Sequence, residues 1–241
     1  MSLLTGILQQ QSNGTTLKNG LISVWKFNET SGTTSHDAYG TNSGDIINVT
    51  INQIGLFGKC YYFDNSDDYV NYGDNLDARF GDMSYSIWVK LGGLQKDVNR
   101  GIRYAGIIGK GFLSNNKGFG IYLKNEVVQV QFRGSVTLIL DSTININDGQ
   151  WHHLVSTADR DGLCSIYVDG VLANTMDISS LDGEDINTSD YFVIGSRYAS
   201  GKLFFDYFGY AMQAVVWDRV LTDSEILLLL NSGNGLAYSN W

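Results

Sequence analysis

The residues that could carry chemistry in this 241-residue chain are few and widely spaced. His152 and His153 stand side by side, and His36 is the one other histidine. A catalytic or metal-binding imidazole needs partners, so a pair bordered by Trp151 and Leu154 in an apolar run reads as packed and hydrogen-bonded. The glutamates, Glu29, Glu126, Glu184 and Glu225, are scattered. Asp67 and Asp68 are adjacent and point to opposite faces of an extended strand. Hydrolysis of a glycosidic bond takes two carboxylates flanking that bond, and no strand offers alternate acidic residues. A G-x-S-x-G nucleophile elbow is absent, as are phosphate-binding and dinucleotide fingerprints. The chain is expected not to be an enzyme.

Three stretches are better suited to binding. Tyr198, Phe204, Phe205, Tyr207 and Phe208 place five aromatic rings within eleven residues. They would stack on sugar rings, fill a core or meet a subunit. Gln129 and Gln131 alternate with Val128, Val130 and Phe132, which puts the amides on the outer face of a strand. There they line a polar groove that hydrogen-bonds sugar hydroxyls, or face water. Residues 92–106 form a loop longer than a hairpin turn, carrying Lys96, Arg100, Arg103 and Tyr104. It reads as a contact surface for acidic groups or as a solvated insertion. The carbohydrate- or partner-binding candidates are Arg100, Arg103, Tyr104, Tyr198, Phe204 and Tyr207.

The elements that must position these residues are strands. Trp151 to Ala158 and Leu163 to Val168 flank the turn-forming Asp159-Arg160-Asp161-Gly162, and Asp169-Gly170 leads into a third strand ending at Thr175. Cys164, Ile166 and Val168 share the core face of the middle strand. Trp25, Phe27, Phe63, Ile87, Val89 and Val155 complete the expected core. Thr222 opens a Thr-x-x-Glu capping box for a short helix running to Leu230. Cys60 and Cys164 are the two cysteines, read as free and buried. A net charge of -9 removes the basic footprint of a nucleic-acid binder. No run reaches the roughly 18 apolar residues of a membrane span.

The order of motifs, more than any single one, identifies a family. GQWHHLV followed by a turn and SIYVDGVL resembles the core signature of the laminin-G-like branch of the concanavalin A-like lectin/glucanase superfamily. VWKFNETSGTTSHDAYG, YYFDNSDDYVNYGD, SYSIWVKL, GIIGKG, YFVIGSR and VVWDRVLTDSEI match further blocks in order, covering about residues 21–235. The resemblance implies an all-β, two-sheet antiparallel jelly-roll sandwich over residues 21–241 with a short C-terminal helix. It also implies a structural calcium held by the loop after the first strand. Glu29, Asp37, Asn42 and Asp45 supply hard oxygens there, with Asp206 a distant substitute, and Glu29, Asp37 and Asp206 are the calcium candidates. Where relatives carry Ile-Asp before the closing strand, this chain has Ala211-Met212 and then Gln213, so one expected carboxylate is missing.

Residues 1–20 read as a flexible arm. Leu3, Leu4, Ile7 and Leu8 precede the polar tether Gln9 to Gly14, a pattern suited to docking on a neighbouring subunit in a homo-oligomer. The start MSLLTGILQQQSNG lacks the basic region of a secretory signal. The expectation is therefore a structural or assembly module, such as a phage virion surface or decoration protein. Its partners would be a capsid protein or a glycan, and its location a virion surface or the extracellular space. A soluble carbohydrate-binding lectin is the alternative, and a glycoside hydrolase the weaker one.

Overall fold

The computed structural model describes residues 17–77, 81–93, 98–99, 102–111, 116–199, 202–204 and 206–241. In chain order the strands are β1 (Leu21–Trp25), β2 (Thr34–Ser35), β3 (Gly44–Ile47), β4 (Thr50–Ile54), β5 (Lys59–Asp64), β6 (Tyr69–Asn71) and β7 (Met83–Leu91). Next come β8 (Val98–Asn99), β9 (Ile102–Gly111), β10 (Gly118–Lys124), β11 (Val127–Arg133), β12 (Thr137–Asn145) and β13 (His152–Ala158). The last are β14 (Leu163–Val168), β15 (Val171–Asp177), β16 (Phe192–Ile194), β17 (Arg197–Ala199), β18 (Lys202–Phe204) and β19 (Phe208–Trp217), followed by the helix α1 (Asp223–Leu230).

Two antiparallel sheets make the sandwich. The first runs β15-β14-β13-β7-β19-β5-β4, with β1 joined to β19. The second runs β12-β11-β10-β9-β16-β6-β3-β2, with β8 joined to β9. All eight side chains expected in the core are buried: Trp25, Phe27, Phe63, Ile87, Val89, Val155, Ile166 and Val168. Most of them fill the space between the sheets with Phe119, Val130, Phe132 and Phe192. Cys60 and Cys164 are buried free thiols, and burial pushes the first up to about 11 and the second to about 12.

The outer side of the first sheet is covered as well. Val155, Val215 and Trp217 pack there against Ile226 and Leu229 of α1 and Leu236 beyond it. That explains why every residue of β13 is buried. The helix begins as the capping box requires, with Thr222 and Glu225 exchanging hydrogen bonds and Arg219 Nη2 donating to Glu225 at 2.7 Å. Gln213 sits in a bulge of β19 at φ 39°, donating to the Leu236 carbonyl and accepting from Tyr238 N. It ties down the segment after α1. Gln213, the residue after the Ala211-Met212 pair, thus serves as a backbone clamp.

Packing begins earlier than the expected domain boundary at residue 21. Leu17 is fully buried, its carbonyl accepts from Trp217 Nε1 at 2.7 Å, and the Asn19 carbonyl accepts from Arg219 Nε. Leu3, Leu4, Ile7 and Leu8 lie outside the described residues. Among those described, no helix is long and apolar enough to cross a membrane.

Candidate functional site

With the first sheet covered on its outer side, the outer face of the second sheet is where exposed chemistry collects. The hairpin between β10 and β11 turns at Asn125 and Glu126, at φ 50° and 64°, and sets the register. Gln129 then lies opposite Tyr122 on β10 and Asp141 on β12. Gln131 lies opposite Gly120 and Ile139. Side chains directly opposite across strands are neighbours on one face, so alternate residues of three strands meet. The result is a groove of about 240 Å3 lined by Tyr104, Tyr122, Lys124, Gln129, Gln131, Arg133, Ile139 and Arg197.

Its floor depends on glycine. A Cβ on Gly120 would come within 2.8 Å of the Tyr122 hydroxyl, and one on Gly109 within 3.2 Å. The phenol therefore rests on bare backbone. At Gly106 a Cβ would meet the Ser196 carbonyl at 2.4 Å, because the connection from β16 to β17 crosses directly over this residue. That crossing brings in Arg197, whose guanidinium carbon stands 5.9 Å from the Tyr122 ring centre, within cation–π range.

A hydrogen-bonded line runs along β11. Gln129 donates to Asp141, Gln131 donates to Gln129, Arg133 Nη2 donates to Gln131 at 3.2 Å, and Arg133 Nη1 donates to Asn116 at 3.2 Å. Lys124 Nζ donates to the other Asp141 oxygen at 2.8 Å. Burial raises the Asp141 carboxyl, but the hydrogen bonds from Lys124 and Gln129 outweigh it and hold the group below the ordinary aspartate value. Burial, and then the charge of Arg197, lower the pKa of Arg133. Gln129 and Gln131 are only 2% and 6% exposed, so the amides are fixed in a network instead of facing open water.

The sequence candidates divide. Tyr104 lines the groove. Arg103 is on β9, its N–H donating to Asn125 Oδ1 at 3.0 Å. Residues 102–106 thus belong to a strand and not to the loop expected there. They pair with β10 through a register shift near Ile121, which breaks the period-2 pattern that would have revealed them. Tyr207 is 1% exposed and packs edge-on to Phe63 in the core, with its hydroxyl donating to the Lys90 and Tyr210 carbonyls. Such a ring cannot stack on a sugar at the surface. Arg100 and the side chains of Tyr198 and Phe204 lie outside the described residues.

The calcium set does not assemble. Asp37 Oδ1 accepts from the N–H groups of Val24, Tyr39 and Gly40, and Oδ2 accepts from Asn42 N. Glu29 accepts from His36 N and from the Tyr61 hydroxyl. Asp206 accepts from Ser196 Oγ at 2.8 Å. Among the described residues no three His, Cys, Asp or Glu side chains are grouped to hold a metal ion. A carboxylate saturated by backbone donors organises its own loop and has little left for a cation that needs six to eight oxygens.

The histidine pair is packed and hydrogen-bonded, as expected. His152 bridges Asp169 at 2.7 Å and Asp148 at 2.9 Å. His153 stacks on Trp88 at 4.9 Å and shares a 2.7 Å hydrogen bond with Ser86. A larger cavity of about 620 Å3 lies elsewhere, between Ile22, Leu76, Met83, Tyr85 and Trp217. Of its three carboxylates, Asp77, Asp82 and Asp218, the first is engaged by Lys110 and the second by the N–H of Arg160, and most of the remaining wall is apolar.

Comparison with known proteins gives this geometry a context. A toxin of Paraclostridium bifermentans, Paraclostridial mosquitocidal protein 1, is 23% identical over 184 residues, 70% of this chain but 14% of the toxin. The crystal structure of that toxin's binding domain superposes with a TM-score of 0.68 at 18% identity, covering 90% of this chain and 53% of the domain. A botulinum neurotoxin serotype D ligand-binding domain, solved with N-acetylneuraminic acid, gives 0.67 at 18% identity, covering 91% of this chain and 52% of that one. Domain 4 of AbnA, an extracellular arabinanase of Geobacillus stearothermophilus solved with arabinotriose, gives 0.66 at 17% identity, covering 86% and 96%. This chain thus spans about half the length of the toxin binding domains and nearly all of the arabinanase domain. Residues 64–227 match the laminin-G-like family described as the concanavalin A-like lectin/glucanases superfamily, and the chain belongs to it.

Proposed function

We propose that the chain is a non-catalytic glycan-binding module whose ligand sits in the groove across β9 to β12. The observation that carries this reading is the line of fixed side chains, Gln129, Gln131 and Arg133, lying beside the Tyr122 floor. An amide offers both donors and an acceptor, matching the mixed donor and acceptor character of sugar hydroxyls. Groups already held by their neighbours lose little freedom when a ligand arrives. Tyr104 and Ile139 supply apolar wall for the face of a sugar ring.

The charge states support a non-catalytic role. Asp141 is a carboxylate hydrogen-bonded to the groove's side chains, and it is held ionised by Lys124 and Gln129. Glycoside hydrolysis commonly takes a second carboxyl, kept protonated to act as the acid. The arabinotriose complex of the arabinanase domain, 96% of which this sandwich matches, supports the reading. A glycan array probed with the parent protein and with Gln131→Ala tests it. The expected result is a defined set of bound glycans lost in the variant. A folded variant that retains the whole set overturns the assignment to this groove.

A further inference from the structure

The cover over the outer side of the first sheet stops at Phe57 and Leu230, which pack on Cys60, Trp88 and Met212. One step further along the strands, Tyr62 of β5, Tyr210 of β19 and Lys90 of β7 stand in cross-strand register, each partly exposed. The Tyr210 ring centre lies 4.8 Å from that of Tyr62 and 6.4 Å from that of Trp151. In the other direction β5 leads back to its hairpin with β4, closed by Gly55 N donating to the Gly58 carbonyl at 2.8 Å, with Leu56 and Phe57 at the tip. A turn of this size ordinarily takes Asn, Asp or Gly. Here Phe57 packs edge-on to Trp88 at 5.8 Å, while Leu56 is 39% exposed and Ile54, just before the turn, 87%.

This end of the sheet is also basic, in a chain of net charge -9. Lys26 and Lys59 line a pocket of about 230 Å3 with Phe57, Met212, Gln213 and Tyr238. Burial raises the Cys60 thiol, and the charges of Lys59 and Lys90 oppose that rise, so both ammonium groups act on the same part of the sheet. Lys110 and Lys124 are held by aspartates, whereas none of Lys26, Lys59 and Lys90 is in an ion pair with a described residue. Further along β5 the sign reverses at the exposed Asp64, so the apolar tip and the lysines share one end. Aliphatic side chains in water beside tyrosine, tryptophan and lysine suit the boundary of an anionic bilayer, where rings sit among headgroups and ammonium groups meet phosphates. An acidic polysaccharide would engage the lysines and rings but leave Ile54 and Leu56 in water. We propose that this end of the first sheet docks on an anionic phospholipid membrane, with Ile54 and Leu56 entering the acyl boundary and Lys26, Lys59 and Lys90 against the headgroup phosphates. The surface is separate from the groove on the second sheet and does not depend on it.

Co-sedimentation of the full chain with vesicles of synthetic phosphatidylcholine, alone and with phosphatidylserine added, tests this. These lipids carry no sugar, so the result is independent of the glycan reading. Binding is expected to the phosphatidylserine vesicles and should weaken as salt is raised. Lys59→Gln and Lys90→Gln should each lower the affinity about five-fold. Ile54→Ser combined with Leu56→Ser should lower it about ten-fold or more. Leu163→Ser, which removes an exposed leucine at the start of β14, should leave it unchanged. Leu56→Trp reads insertion without any loss of binding, since its emission should be quenched by brominated acyl chains. Failure to bind either vesicle overturns the proposal. So does an equal loss in Leu163→Ser, which marks general hydrophobic adhesion. Binding to heparin without binding to vesicles reassigns the lysines to an acidic glycan and also overturns it.

Discussion

Lowering the pH should destabilise the fold through His153 by an amount that can be worked out. The ring is 1% exposed, lies against Trp88 and uses Nε2 on Ser86. Its Nδ1 is buried without a hydrogen-bond partner among the described residues. Burial disfavours the cation and holds the pKa at about 4 against an ordinary 6.5. Because the folded value is depressed, the unfolded chain takes up the proton first. The stabilisation is complete above about pH 6.5 and is lost as pH falls towards 4. At about 1.4 kcal/mol per pH unit, the full interval corresponds to about 3 kcal/mol. Two other groups bend the same curve. Asp68, raised to about 6 by burial, gains stability as pH falls below that value. His152, raised mainly by its hydrogen bond to Asp169, contributes stability that is present below about 6.5 and lost as pH rises through its folded pKa. A difference measurement isolates His153. His153→Phe keeps an aromatic ring on Trp88 and removes the titration. Urea unfolding of both proteins at pH 7.0 and 4.5 should show the parent losing roughly 2 to 3 kcal/mol more than the variant over that interval. Parallel losses would refute the buried neutral imidazole.

Other outcomes follow from single contacts. Ile166→Ala should cost about 2 to 5 kcal/mol in chemical denaturation, since Ile166 is 1% exposed between the sheets. An unchanged midpoint would contradict its place in the core. Gly120→Val should abolish glycan binding and also lower stability in chemical denaturation, because a Cβ there meets both the Tyr122 hydroxyl and the Ile108 carbonyl at 2.8 Å. Full binding by that variant would place the ligand elsewhere. Leu3, Leu4, Ile7 and Leu8 are proposed to form an assembly arm, so deleting residues 1–14 should leave a folded monomer. A full-length protein that is already monomeric at high concentration by light scattering would rule the arm out.

Much of the sandwich is legible in the sequence because period-2 alternation is a direct mark of a half-buried strand. Cys164, Ile166 and Val168 on β14 show it, and so do Val128, Val130 and Phe132 on β11. The groove is legible only in part. The outward amides Gln129 and Gln131 can be read from alternation, but Tyr122, Lys124, Arg133, Ile139 and Arg197 become their neighbours only through cross-strand register. Recognising Asn125-Glu126 as the hairpin turn would have paired 122 with 129 and 120 with 131. The bulge at Ile107, and the crossing of Ser196 over Gly106, leave no local signal. The aromatic cluster stayed open between sugar stacking, core and subunit contact for a related reason. Composition cannot distinguish a surface ring from one that faces Phe63 in the core, as Tyr207 does.

The most direct test of the glycan-binding groove is an NMR titration that follows the side-chain amides of Gln129 and Gln131 as a glycan identified on the array is added. Saturable shifts of both amides, together with the backbone signals of Tyr122 and Gly120, are the predicted result. Saturable binding that leaves those signals in place, and instead moves residues around the cavity bounded by Leu76 and Met83, would contradict it.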